Sequence, residues 1–147
     1  MNVKMSDVEA AYIAGLMDGE GCFTIVKSRS DNTPIKTQYG VRVEFCMCDR
    51  EPIELMASLF GRPVSTKALK SGRTGYMVRF HAATAIAFIE AVLPFLRGKK
   101  RQAELILEMH RNYLPGRGRS HTEETVAAIE RIRTEFSGLK RAHLLRC

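Results

Sequence analysis

Two carboxylates one residue apart, Asp18 and Glu20, stand in Gly15-Leu16-Met17-Asp18-Gly19-Glu20-Gly21, where an apolar helical pattern gives out. Acids at the C-terminal end of a helix face the negative end of its dipole, which disfavours each by a few tenths of a kcal/mol to about 1 kcal/mol. A cation should compensate. Hard oxygen ligands at a point where two chains meet suit Mg²⁺, which takes one or two carboxylates and completes its shell with water and phosphate oxygens. A pair of solvated helix-end acids is the plainer alternative. Other metal-ligating types are poorly arranged: Cys46-x-Cys48 has the spacing of same-face strand neighbours, and no second Cys or His pair completes a tetrahedral site. His81, His110, His121 and His143 are scattered, and none anchors a catalytic triad.

The acids depend on the helix before them. Ser6-Asp7-Val8-Glu9 is a capping box, so a helix should run from there to about Asp18, with Gly19 and Gly21 breaking it. At about 100° per residue, Val8, Tyr12, Ile13, Leu16 and Met17 form a large apolar half suited to a core. Ala10, Ala11, Ala14 and Gly15, with Asp18, form a smooth half that another helix can approach closely, in the same chain or in a second copy. Cys22 to Lys27 and Val41 to Cys46 alternate as a long hairpin across the polar stretch from Ser28 to Thr37. A helix from Asp49 to Phe60 stops at Gly61. Val64 to Lys70 and Tyr76 to Phe80 repeat the strand pair, with Tyr76, Val78 and Phe80 facing in and Met77 and Arg79 facing out. A third helix covers Thr84 to Leu93, and two more are expected at about Arg101 to Tyr113 and Thr122 to Phe136, joined through Pro115 to Ser120. This order, α-β-β-α-β-β-α, predicts an α+β fold with one four-stranded antiparallel sheet, helices on a single face, the other face free to bind, and C-terminal helices beyond. We expect one domain over residues 1–147, a core at about 6–113 and a helical extension at about 114–147.

Charge sharpens the expectation for that free face. Lys and Arg number 23 against 16 Asp and Glu, a net +7 that favours a polyanionic partner. The excess gathers on strand-forming stretches: Arg62, Lys67, Lys70, Arg73 and Arg79 lie between Arg62 and Phe80 with no acid among them. Alternation nominates Thr24, Val26, Ser28, Gln38, Arg42 and Glu44 on the first pair, and Lys67, Met77 and Arg79 with Arg73 at the turn on the second, as outward side chains of that face. The apolar content of 45% excludes a largely disordered chain, and no apolar run reaches the roughly 20 residues of a bilayer span. Met1 to Met5 lack a signal peptide's apolar core, and Cys22, Cys46, Cys48 and Cys147 have no disulfide framework, so a soluble intracellular protein with reduced thiols and no membrane partner is expected.

Tyr12-Ile13-Ala14-Gly15-Leu16-Met17-Asp18-Gly19-Glu20-Gly21-Cys22-Phe23 resembles the signature of LAGLIDADG homing endonucleases, with supporting similarity through Asp49 to Gly61 and Leu93-Pro94-Phe95-Leu96-Arg97-Gly98-Lys99-Lys100-Arg101-Gln102-Ala103. The resemblance covers about residues 8 to 110 and implies a saddle-like sheet and metal-dependent hydrolysis of both strands of a DNA duplex, whose major groove the outward side chains named above would read, with arginines suited to guanine and Lys36 and Lys70 to phosphate. It makes Glu20 the metal-binding acid, beside Gly19, with Mg²⁺ or a stand-in such as Mn²⁺ or Ca²⁺. Asp18 becomes a supporting acid, Lys99 the cation that stabilises the transition state, and Lys100 a neighbouring DNA contact. Because the chain carries one copy of the motif, the resemblance implies a homodimer, with Ala11, Ala14, Gly15 and Asp18 at the interface. Two departures stand out: Glu at position 20, where Asp is commoner, and Met47, where many members hold a polar residue near the metal. Intron-encoded members also include RNA-binding splicing helpers, so a DNA-binding regulator and a partner of intron RNA are the alternatives to the nuclease.

Overall fold

Ser6 opens the first helix as the capping box predicts: its hydroxyl accepts from the Glu9 amide at 3.2 Å, and the Glu9 carboxylate accepts from the Ser6 amide at 2.9 Å. The computed structural model describes residues 3–116 and 119–145; residues 117 and 118 of the expected connection, and Cys147, lie outside that range. Helix α1, Asp7–Glu20, runs two residues past the expected stop and ends only at Gly21, whose backbone is extended. A β-carbon at Gly21 would stand 2.9 Å from the Phe45 ring and press on the Met17 sulfur. Glycine there lets the helix end turn directly onto the sheet.

Strands β1 (Gly21–Arg29), β2 (Thr37–Met47), β3 (Ser65–Ala68) and β4 (Thr74–His81) form one antiparallel sheet in the order β1-β2-β4-β3. The register pairs Phe23 with Val43, Val43 with Phe80, and Phe45 with Val78, all buried. On that face lie α2 (Arg50–Leu59), which gives way to Gly61 at φ 61°, and α3 (Ala82–Val92), followed by a single 3-10 turn at Leu93–Phe95. Phe45, Phe60, Phe80 and Phe88 meet ring to ring with centroids 4.9 to 5.7 Å apart, so the core is centred where β2 and β4 pass beneath α2 and α3. Helices α4 (Lys100–Asn112) and α5 (Glu123–Leu145) complete the chain. No helix among the described residues is long and apolar enough to cross a membrane.

Three expectations need correction. The faces of α1 are turned: Val8 and Tyr12, assigned to the core, are 80% and 49% exposed, whereas Ala10 and Ala14 are buried beside Ile13 and Met17. Small residues let α1 sit close to the elements beneath it, so its inner face is the one rich in alanine. Ala14 therefore packs inside its own chain, outside any surface a second copy can reach. Met77 keeps the outward parity, opposite Cys46, but is buried, on the same face as Gly75, where the Leu69 and Cys46 side chains crowd in. Helix α5 also runs well past Phe136.

Buried Ile129, Ile132 and Phe136 seat α5, and one polar latch ties it to the turn end of the first hairpin. Glu130 accepts from Lys27 Nζ at 2.8 Å and from the Tyr39 hydroxyl at 2.6 Å. The Lys27 hydrogen bond first, and then that of Tyr39, hold its pKa well below the ordinary 4.5, to about 2. Burial and the adjacent carboxylate raise the Tyr39 phenol to about 12. A depressed carboxylate stabilises the fold above its unfolded pKa and loses that contribution as pH falls toward the folded value. Thermal melts of the wild type should decline between about pH 4.5 and pH 2 more steeply than those of Glu130→Gln, with a difference of about 1 kcal/mol at most because the pair is partly exposed. Parallel pH curves would remove the latch.

Candidate functional site

At the end of α1 the two acids part company. Asp18 turns back into the protein, where Oδ2 accepts from the Arg97 amide and Oδ1 from the Lys99 amide, each at 2.9 Å. It clamps the turn that leads into α4. Glu20 is exposed. It lines a cleft of about 270 Å³ with Cys22, Lys99, Gln102, Lys140 and His143.

Lys99 is buried between the end of α1 and the cleft. It is 7% exposed, and its Nζ donates to the carbonyl oxygens of Met17 at 2.8 Å and Gly21 at 2.5 Å. An ammonium on the last carbonyls of a helix satisfies groups that have no intrahelical partner and offsets the negative dipole end. The compensating cation expected beside Asp18 and Glu20 is therefore resident in the chain. Lys99 also lines the cleft, so one side chain meets both the end of α1 and the space beside Glu20.

The outward face of the sheet collects most of the nominated side chains in register. Cys22, Glu44 and Arg79 form one row across β1, β2 and β4; Thr24, Arg42 and His81 form the next; Ser28 pairs with Gln38. Lys67 lies opposite Gly75 on β3, whose four residues are all exposed. Lys70 and Arg73 are exposed in the β3–β4 turn, where Gly72 takes φ 81°. Val26 is half-buried on the same face, and Lys100 is exposed at the start of α4, away from the sheet. Arg79 is ion-paired with Glu44, so these two act as a unit. Arg42 carries the one buried side-chain nitrogen among the described residues, Nε, that has no hydrogen-bond partner.

Reading the sequence did not find Gln102, Lys140 or His143. They approach Glu20 from α4 and α5, some 80 to 120 positions away, and only their polarity in otherwise apolar helical rows could have flagged them. Met47 is half-buried and packs against the core, with no polar atom to offer. Cys22, Cys46 and Cys48 are free thiols, and no cluster of three His, Cys, Asp or Glu side chains able to hold a metal occurs among the described residues.

An α+β sheet with one open basic face, and an acid exposed at the end of its first helix, is the architecture of a LAGLIDADG-type nuclease domain. A profile of the LAGLIDADG endonuclease family matches residues 13–114, and the chain belongs to that family as a member with a single motif. Solved structures agree in fold. The archaeal intron-encoded homing endonuclease I-Vdi141I, solved with DNA, is 18% identical with a TM-score of 0.66, over 92% of this chain and 84% of its own. The homing endonuclease I-TnaI is 22% identical with a TM-score of 0.58, over 96% and 99%. I-SmaMI, bound to an uncleaved DNA target with calcium, is 14% identical with a TM-score of 0.66, over 93% of this chain but 48% of its own. No curated protein sequence matches the chain.

Proposed function

We propose that this protein is a site-specific endonuclease that acts as a homodimer on a long, near-palindromic DNA duplex and hydrolyses both strands with a divalent metal. The observation that carries the reading is the outer stripe of α1. Val8, Ala11, Tyr12, Gly15 and Gly19 are exposed at helical spacing, a β-carbon at Gly15 or Gly19 would meet nothing within 4 Å, and the stripe ends at Glu20. Packing two such stripes about a twofold axis covers Val8 and Tyr12 and brings two Glu20 carboxylates together. The interface thus uses Ala11 and Gly15 from the expected set, with Val8 and Tyr12 in place of the buried Ala14 and of Asp18, whose carboxylate is engaged by two amides of its own chain. Coverage supports the same arrangement, since the chain corresponds to nearly all of I-TnaI and about half of I-SmaMI.

The donor set fits Mg²⁺ in that assembly. One chain supplies a single exposed carboxylate, Asp18 being engaged by two amides, and Mg²⁺ takes one or two carboxylates together with phosphate oxygens and water. Bound there, it would polarise the scissile phosphate and lower the pKa of an attacking water. The chain's own residues do the rest. Asp18 and Lys99 fix the end of α1 so that Glu20 is presented at the cleft mouth. The sheet binds the duplex through Lys67, Lys70, Arg73 and Arg42, while Glu44 orients Arg79 and Thr24, Ser28 and Gln38 offer hydrogen bonds to base edges. Lys100 reaches the backbone beside the cleft.

Met47 favours a second reading, a regulator that binds duplex and does not cut, because a packed thioether cannot order water near a metal. The deciding experiment exposes a randomised duplex library to the protein with Mg²⁺ and with EDTA, alongside sedimentation. We expect a dimer and metal-dependent double-strand cuts at selected sequences. Selective binding without cuts would establish the regulator, preference for structured RNA would establish an RNA partner, and a monomer with and without DNA would end the paired-site reading.

A further inference from the structure

Lys140 belongs to the last turns of α5, outside the segment matched by the family, yet it reaches the strand that begins directly after Glu20. Its Nζ donates to the Phe23 carbonyl oxygen at 2.9 Å, lies 3.4 Å from Cys22 Sγ and sits 5.7 Å from the centre of the Phe136 ring. No carboxylate is paired with it among the described residues. Strand β1 is an edge of the sheet, and residues two apart on a strand present their carbonyls to the same side. The Gly21 carbonyl is taken by Lys99 and the Phe23 carbonyl by Lys140. Two ammonium groups, one from the start of α4 and one from the end of α5, thus close the first two outward carbonyls of an edge that no other strand covers. An edge left open there could fray. Fraying at this point would swing the peptide that follows Glu20.

Resting on the reading of Glu20 as the metal acid, we propose that Lys140 is a positioning residue for the metal site: by pinning the Phe23 carbonyl it holds the Glu20 carboxylate at the cleft, and α5 is thereby a working part of the nuclease centre. The sign of its effect distinguishes this role from a purely electrostatic one. A bare positive charge beside the cleft repels a divalent cation, so removing it would tighten metal binding. Loss of a positioning contact weakens metal binding, commonly by 10- to 100-fold.

The test is a titration of the full-length protein with Mn²⁺ alone, following the electron paramagnetic resonance signal of the free ion, for wild type, Glu20→Gln, Lys140→Met and Lys140→Arg. We expect Glu20→Gln to lose the site, Lys140→Met to bind about tenfold more weakly, and Lys140→Arg, which can still donate to Phe23, to stay within about threefold of wild type. If Lys140→Met does not fold by circular dichroism, Lys140→Gln carries the same expectation, since its shorter side chain keeps a polar head that cannot span to the strand. Lys140→Met or Lys140→Gln binding as tightly as wild type, or more tightly, while Glu20→Gln loses the site, would overturn the role of Lys140 and leave Glu20 standing. Wild-type binding by Glu20→Gln would overturn both.

Discussion

Glu20→Gln should abolish strand cleavage, by at least about 10³-fold, while duplex affinity in EDTA stays equal to or rises above that of the wild type. The size follows from what the carboxylate holds: a metal ion supplies several kcal/mol of transition-state stabilisation, and each 1.4 kcal/mol is a factor of ten. Gln keeps the shape and loses the charge. Affinity is spared because the cations that face DNA lie on the sheet and its turn, and it gains because two carboxylates at the proposed dimer axis repel each other and the phosphates between them until metal arrives. Single-turnover cleavage and filter binding on one selected duplex read the two quantities separately. A mutant that cuts at the wild-type rate would displace Glu20 from the chemistry; one that loses binding in EDTA would show that it serves the fold.

Lys99→Met should cost about 3 kcal/mol in urea unfolding, because two charge-assisted hydrogen bonds to buried carbonyls are lost and the carbonyls of Met17 and Gly21 are left unmatched. A lysine whose business was only with a phosphate would leave stability unchanged within about 0.5 kcal/mol. Cleavage should fall as well, because the end of α1 loosens where Glu20 is carried. Equal midpoints and slopes for mutant and wild type would return Lys99 to the phosphate role.

The elements were legible because each carries a local signal. The capping box at Ser6, the alternation in both strand pairs and the glycine after α2 depend on neighbours within a few residues. Glu20 was legible for the same reason, as an acid between two glycines at the end of a helical pattern. What escaped the sequence depends on distant parts meeting. The faces of α1 were misread because hydrophobicity ranks Val8 and Tyr12 above Ala10 and Ala14, whereas closeness of approach selects the alanines. Met77 alternates correctly, and its burial depends on the crowding of that corner by side chains from other strands and the turn. Lys99 and Lys140 are charged residues at helix ends, a position any solvated lysine can occupy, and nothing local says that each will be spent on a carbonyl near residue 20.

Strand β3 has all four residues exposed and pairs with β4 alone. Its side chains contribute almost nothing to the core, so their replacement is close to free in stability so long as the strand still pairs. Together with Lys70, Ser71 and Arg73 of the β3–β4 turn, and apart from Leu69 and Gly72, it forms a stretch in which the proposed duplex-facing surface can drift without putting folding at risk. On the proposed reading of the sheet, residues that read sequence and residues that hold the molecule together are thus largely separate populations. Such a partition makes a nuclease evolvable: a lineage can walk from one target to another by substitutions that selection for foldedness does not see, and a laboratory library randomised at Ser65, Thr66, Lys67 and Ala68 inherits the same tolerance.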